Sequence, residues 1–151
     1  MFEHILLTVD LEHDVSWKKS LPNAVESAQA FNSTLHIMTV VPDFGGTLVS
    51  SFFPKDHKKQ MMEAATNGLH TFVTEHVPKG IKVQHIVAYG TAYEEILHVA
   101  QEIDADLIIM GERAKKKRSK RKHVEDYMIG HNAARVVRYA KCSVLVVRDK
   151  E

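Results

Sequence analysis

Asp10 stands directly behind the apolar run His4–Val9 (HILLTV). A carboxylate placed there can accept hydrogen bonds from the ribose hydroxyls or the amino group of a ligand. Aspartate also forms turns and caps helices, so both readings stay open. Gly111 follows Leu107–Met110 (LIIM), and Gly130 precedes HNAARVV. Glycine lets backbone N–H groups come close to a phosphate, and a helix N-terminus adds a favourable dipole. Ordinary turn glycines look the same in a sequence. Neither GxxxxGK(S/T) nor GxGxxG is present, which leaves out a P-loop and a dinucleotide-binding fingerprint.

Between the two glycines lies the basic run Lys115–Lys122 (KKKRSKRK), seven of whose eight residues are Lys or Arg. The whole chain has a formal net charge of +1, yet outside this run 13 basic residues face 19 acidic ones. The protein is therefore acidic with one basic patch, which argues against a broadly basic nucleic-acid surface. The run could neutralise ligand phosphates through charge-assisted hydrogen bonds. It could equally dock on an acidic protein, or on nucleic acid in a sequence-independent, salt-sensitive way. Aromatic residues for base stacking are not interleaved with it, Tyr127 being the nearest.

Other chemistry finds little support. Of ten histidines only His123 and His131 fall near the glycines, and neither has HxxxH or HExxH spacing. Scattered surface histidines and no metal are expected. Cys142 has no histidine close in sequence, and no GxSxG elbow exists. The carboxylate pairs Glu94–Glu95 and Glu125–Asp126 read as helix surface or loop. With no catalytic base and no designed metal ligands, any hydrolysis would be slow.

The elements that must position Asp10 and the glycines follow from hydrophobic period. His4–Val9, Leu35–Val41, Ile81–Ala88, Leu107–Met110 and Ser143–Val147 read as strands. Ile81 and Val83, then Ile86 and Ala88, suggest a slip of register within the third. Four helical stretches alternate with them. The first carries Trp17, Leu21, Ala24, Val25, Ala28 and Phe31, with Ser20 as its cap and Pro22 in its first turn. Met61 to Val77 marks a long second helix closed by Pro78 and Gly80. Tyr93 to Ile103 and Ala133 to Ala140 mark the others. Strictly alternating strands and helices with doubly buried strands predict an α/β fold: a doubly wound five-stranded parallel sheet with helices on both faces. Ligands of such folds bind at the carboxyl ends of the strands, near the point where the strand order reverses.

At 151 residues, 44% hydrophobic and 26% charged, the chain fits one soluble domain spanning 1–151, with residues 114–123 as a basic insertion. No apolar run reaches the roughly 18 residues of a membrane span. The start MFEHILLTVDLEHD lacks a signal-peptide pattern. One cysteine fits a reducing compartment, and a cytoplasmic location is expected.

ILLTVD, LHIMTVVP, VAYGTAYEEILHVAQEIDADLIIMG and IGHNAARVVRYAKCSVLVVR together resemble the universal stress protein family, in the right order over essentially the whole chain. The resemblance implies the same doubly wound sheet, and a homodimer formed by antiparallel pairing of Ser143–Val147. It also implies ATP or AMP as ligand, with Mg accompanying ATP, in a regulatory, stress-response role. By the family's pattern Thr8, Val9 and Asp10 would face adenine and ribose, and Val40 would contact adenine through its backbone. Met110 and Gly111 would flank ribose and phosphates. Gly130, His131 and Asn132 would offer N–H groups to phosphate. Apart from that pattern, the charge of this chain's own loop makes Arg113, Lys115, Lys116 and Lys117 candidates for further phosphate contacts. The family loop has the form GxxG-x9-G(S/T). Here Ala114 replaces its second glycine, His131 follows Gly130, and the loop is six residues longer.

Overall fold

A computed structural model describes residues 1–43, 56–112 and 130–148. The basic insertion 114–123, with Arg113 and Lys115 to Lys117, lies outside them, as does the loop holding Gly45, Gly46 and Pro54.

The strands are β1 (His4–Thr8), β2 (Thr34–Pro42), β3 (Lys82–Gly90), β4 (Leu107–Gly111) and β5 (Ser143–Val147). Between them run α1 (Ser20–Phe31), α2 (His57–His76), α3 (Ala92–Glu102) and α4 (His131–Tyr139). All strand pairs are parallel, in the order β3-β2-β1-β4-β5. The order reverses at β1. The chain first builds outward through β2 to β3, then returns to add β4 on the other side.

Side-chain alternation sends neighbouring residues to opposite faces, and both faces are covered. Ile5, Leu7, Leu35, Ile37 and Ile109 pack with Leu21 and Ala24 of α1 and Leu69 and Phe72 of α2. Leu6, Met38, Ile108 and Met110 pack with Ile96 and Val99 of α3 and Ala133 and Val136 of α4. Packing of half-buried side chains on both faces also explains the third strand. Ile81, Val83 and Val87 join the first core, while Ile86 and Ala88 join the second. The apparent slip is one regular strand that packs on both sides.

The start of α1 differs from expectation. Ser20 is its first helical residue, not its cap, and its hydroxyl donates to the Ser16 carbonyl (3.1 Å). Trp17 precedes the helix and packs edge-on against Phe72, with ring centroids 4.9 Å apart. A short 3-10 turn, Asp14–Ser16, occupies the space between β1 and α1. A polar turn this close to a strand end has no hydrophobic period to announce it.

The histidines are not all on the surface. His36, in the middle of the sheet, is 4% exposed, and its Nε2 lies 3.1 Å from His4 Nδ1. Its own Nδ1 is buried with no hydrogen-bond partner among the described residues. Burial lowers the His36 pKa from 6.5; the Gln84 side chain opposes this, and the neighbouring His4 adds to the lowering. The folded protein thus binds this proton less readily than the unfolded chain. Stability from His36 is complete above about pH 6.5 and declines as pH falls from there towards the lowered folded value. Urea unfolding at pH 7.5 and pH 5 should show a drop in midpoint for wild type that is smaller in His36→Leu. Equal drops would remove His36 as a source of acid sensitivity.

Candidate functional site

At the carboxyl ends of the strands a cleft of about 790 Å³ opens over the reversal point between β1 and β4. That volume suits a ligand of nucleotide size. Its walls include Thr8, Val9 and Asp10 from the end of β1, Val40 from β2, and Met110 and Gly111 from β4. Gly130, His131 and Asn132, at the start of α4, complete that group. Every described residue singled out from the sequence therefore lies on one cavity. The remaining four, Arg113 and Lys115 to Lys117, fall outside the described residues.

The chain reaches this arrangement through the 3-10 turn. The Asp10 N–H donates to the Ser16 hydroxyl (3.0 Å), which in turn donates to the His13 carbonyl (2.8 Å). The Asp10 carboxylate accepts the Glu12 N–H at Oδ1 (3.1 Å), and its Oδ2 lies 2.9 Å from His13 Nδ1. Asp10 is a turn-former, one of its two sequence readings, and it also stands on the cavity wall.

Gly111 is explained by the same turn. A Cβ on this residue would sit 2.0 Å from the Ser16 carbonyl oxygen. The absence of a side chain is thus required by backbone packed on backbone, whatever a ligand does. Gly130 is different. It takes the position before α4 with φ −58°, and no described atom lies within 4 Å of a Cβ placed there. The first N–H groups of α4 have no partner within the helix, and the positive end of its dipole opens on the cavity.

The described wall carries three carboxylates, Asp10, Glu12 and Glu112, and two imidazoles, His13 and His131. Glu112 is 12% exposed, with Oε2 3.5 Å from Arg148 Nε. No lysine or arginine is among the described lining residues. Among the described residues no group of three or more His, Cys, Asp and Glu is placed to hold a metal. Cys142 lies at the amino end of β5, remote from the cleft, and burial pushes its thiol pKa up. A thiol so placed is a poor nucleophile.

Several lining residues were not foreseen. Leu11, Glu12, His13 and Ser16 come from the turn after β1, and Met61, Ala64, Ala65 and Gly68 from α2. The polar string DLEHDVS directly behind a strand could have signalled the turn. Nothing local marks the α2 residues, whose place is set by how that helix lies on β2 and β3. Among the histidines, His13 reaches the site although sequence proximity pointed only to His123 and His131.

A doubly wound parallel α/β protein with a ligand-sized cleft at its reversal point is the class that fold and cleft define. Within that class, residues 1–148 match the model of the Universal stress protein family. The chain belongs to that family. It is 24% identical over 150 residues to Universal stress protein G of Shigella flexneri, covering 98% of this chain and 100% of the relative. The solved structure of MJ0577, from Methanocaldococcus jannaschii, superposes with a TM-score of 0.71 at 24% identity, covering 100% and 99% of the two chains. A universal stress protein solved in complex with cAMP superposes with a TM-score of 0.58 at 19% identity, covering 97% of each. These structural likenesses agree in fold. No described helix is long and apolar enough to cross a membrane.

Proposed function

We propose that the cleft binds an adenine nucleotide, ATP or AMP, and that the protein is a regulatory binding protein of the stress response. The observation that carries this reading is the meeting, on one cavity, of a turn-held carboxylate, Asp10, with the N-terminus of α4. A carboxylate suits ribose hydroxyls, and a helix N-terminus suits phosphate. Support also comes from a relative of the same fold having been solved with cAMP.

In this reading Thr8, Val9 and Val40 take the base, while Met110 and Gly111 flank ribose and phosphates. Gly130, His131 and Asn132 present N–H groups to phosphate. The described wall is acidic, so the positive charge that offsets a triphosphate comes from Arg113 and Lys115 to Lys117, together with any Mg. The protein works as one domain in the cytoplasm and forms a homodimer through β5. That strand pairs only with β4 among the described strands, and its Leu145 is 39% exposed. An open strand edge beside an apolar side chain is a pairing surface.

Nucleotide released on denaturing the freshly purified protein should be adenine-based. ATP should lose about tenfold in affinity when residues 115–122 are removed, the loss expected for one charge-assisted contact, while AMP changes less. If neither nucleotide binds wild type at millimolar concentration, the reading is wrong. Unchanged ATP affinity would remove the basic run from the site. Salt-sensitive retention on nucleic acid that vanishes with the run would favour an interaction module instead.

A further inference from the structure

We infer that Glu112 is a charge filter at the phosphate end of the cleft, and that Arg148 is the positioning residue that moderates it. This builds on the nucleotide reading above and adds a limit on phosphate charge: Glu112 lowers the affinity for ATP relative to AMP, against the pull of the basic run.

Glu112 follows β4 directly and lines the cleft beside Gly111. The main chain fixes its place. Its N–H donates to the Val147 carbonyl (3.0 Å), which prolongs the β4–β5 pairing beyond Gly111. The Glu112 side chain is 12% exposed, against 34% for Asp10, and Glu12 is fully on the surface. Of the three carboxylates on the described wall, Glu112 is therefore the one that water screens least. A charge in such a place acts through an effective dielectric of about 20 rather than 80, so it is felt several ångströms away. It disfavours an anion at the end of β4, and it disfavours each further phosphate more. AMP and ATP share base and ribose and differ in phosphate charge, so the filter acts on what distinguishes them.

Arg148 offsets the carboxylate in part. Its Nε lies 3.5 Å from Glu112 Oε2, and its side chain is 54% exposed. An ion pair so open to water is weak and leaves negative potential on the wall. Arg148 stands just past the end of β5 and is not among the described lining residues. It therefore acts on a ligand through Glu112.

The test titrates AMP and ATP, without added metal, against wild type, Glu112→Gln, Arg148→Ala, Arg148→Lys and the double variant Glu112→Gln with Arg148→Ala. Glu112→Gln keeps the size of the side chain and removes its charge. It should raise ATP affinity about tenfold and AMP affinity about two- to threefold. Arg148→Ala should do the reverse, weakening ATP more than AMP, and Arg148→Lys should restore most of that loss. In the Glu112→Gln background Arg148→Ala should cost ATP much less than in wild type. These differences should shrink as salt rises from about 0.05 M to 0.5 M. Should Glu112→Gln lower the urea midpoint, the two Arg148 variants read the filter alone. Equal changes for AMP and ATP, or none, overturn the filter while the nucleotide reading stands. An ATP loss from Arg148→Ala as large in the Glu112→Gln background as in wild type means that Arg148 meets the ligand directly, and overturns it too. Failure of wild type to bind either nucleotide at millimolar concentration overturns both.

Discussion

Gly111→Ala is expected to destabilise the protein by about 3 kcal/mol, at the upper end for an overpacked site. The new Cβ would lie 2.0 Å from the Ser16 carbonyl oxygen and 2.8 Å from its carbon. These are backbone atoms, so no side-chain rotation relieves the clash. The 3-10 turn has to lift from the end of β4, and the Ser16 hydroxyl, which holds the Asp10 N–H, moves with it. One methyl group should therefore lower the urea midpoint and weaken AMP together. Gly130→Ala is the control. Its φ of −58° suits any residue, and with no described atom in reach of its Cβ it should leave the midpoint within about 0.5 kcal/mol of wild type. A wild-type midpoint in Gly111→Ala would show that the turn does not rest on β4 as described.

Asp10→Ala is expected to reduce AMP and ATP affinity alike, by roughly 10- to 100-fold, since hydrogen bonds to a charged group contribute about 1.5–3 kcal/mol. The two nucleotides share the ribose, so the loss should not depend on phosphate number. Removal of the basic run should instead discriminate between them. The pair of variants therefore separates the sugar end of the site from the phosphate end. The Glu12 N–H and the His13 ring, two of the groups that the carboxylate holds, are exposed enough to turn to water in the variant. Affinities within twofold of wild type in isothermal titration would leave Asp10 as a turn-former only.

Much of the architecture was legible because parallel strands buried on both faces leave unbroken apolar runs. LIIM, buried on both faces, became β4, and SVLVV, a half-exposed edge strand, became β5, each within a residue of expectation. Strand ends were less legible. β3 runs on to Gly90 because its pairing with β2 continues to Pro42, a tertiary fact that no local pattern states. The histidines were misjudged for a related reason. Residue type alone makes His36 polar, while its register opposite Leu6 and Gln84 puts it inside. The described site residues named from sequence all reached the cavity, since strand ends and helix starts are the parts of this fold that chain order fixes. The α2 wall was invisible, and His13 was marked only by the polar string behind β1. The α2 wall depends on a helix meeting strands distant in the chain, and His13 on a turn too short for any period.

The placement of β1 also has a consequence during synthesis. Its partner on one side, β2, is made within about thirty residues, but on the other side Ile5 waits for Leu107. At roughly 5–20 residues per second, the nascent β1 carries an open edge with Ile5, Leu6 and Leu7 for about 5–20 seconds. The cleft is complete later still, when α4 has left the ribosome. Any ligand of this cavity can therefore recognise only a chain made through α4, and its binding adds stability to that state alone.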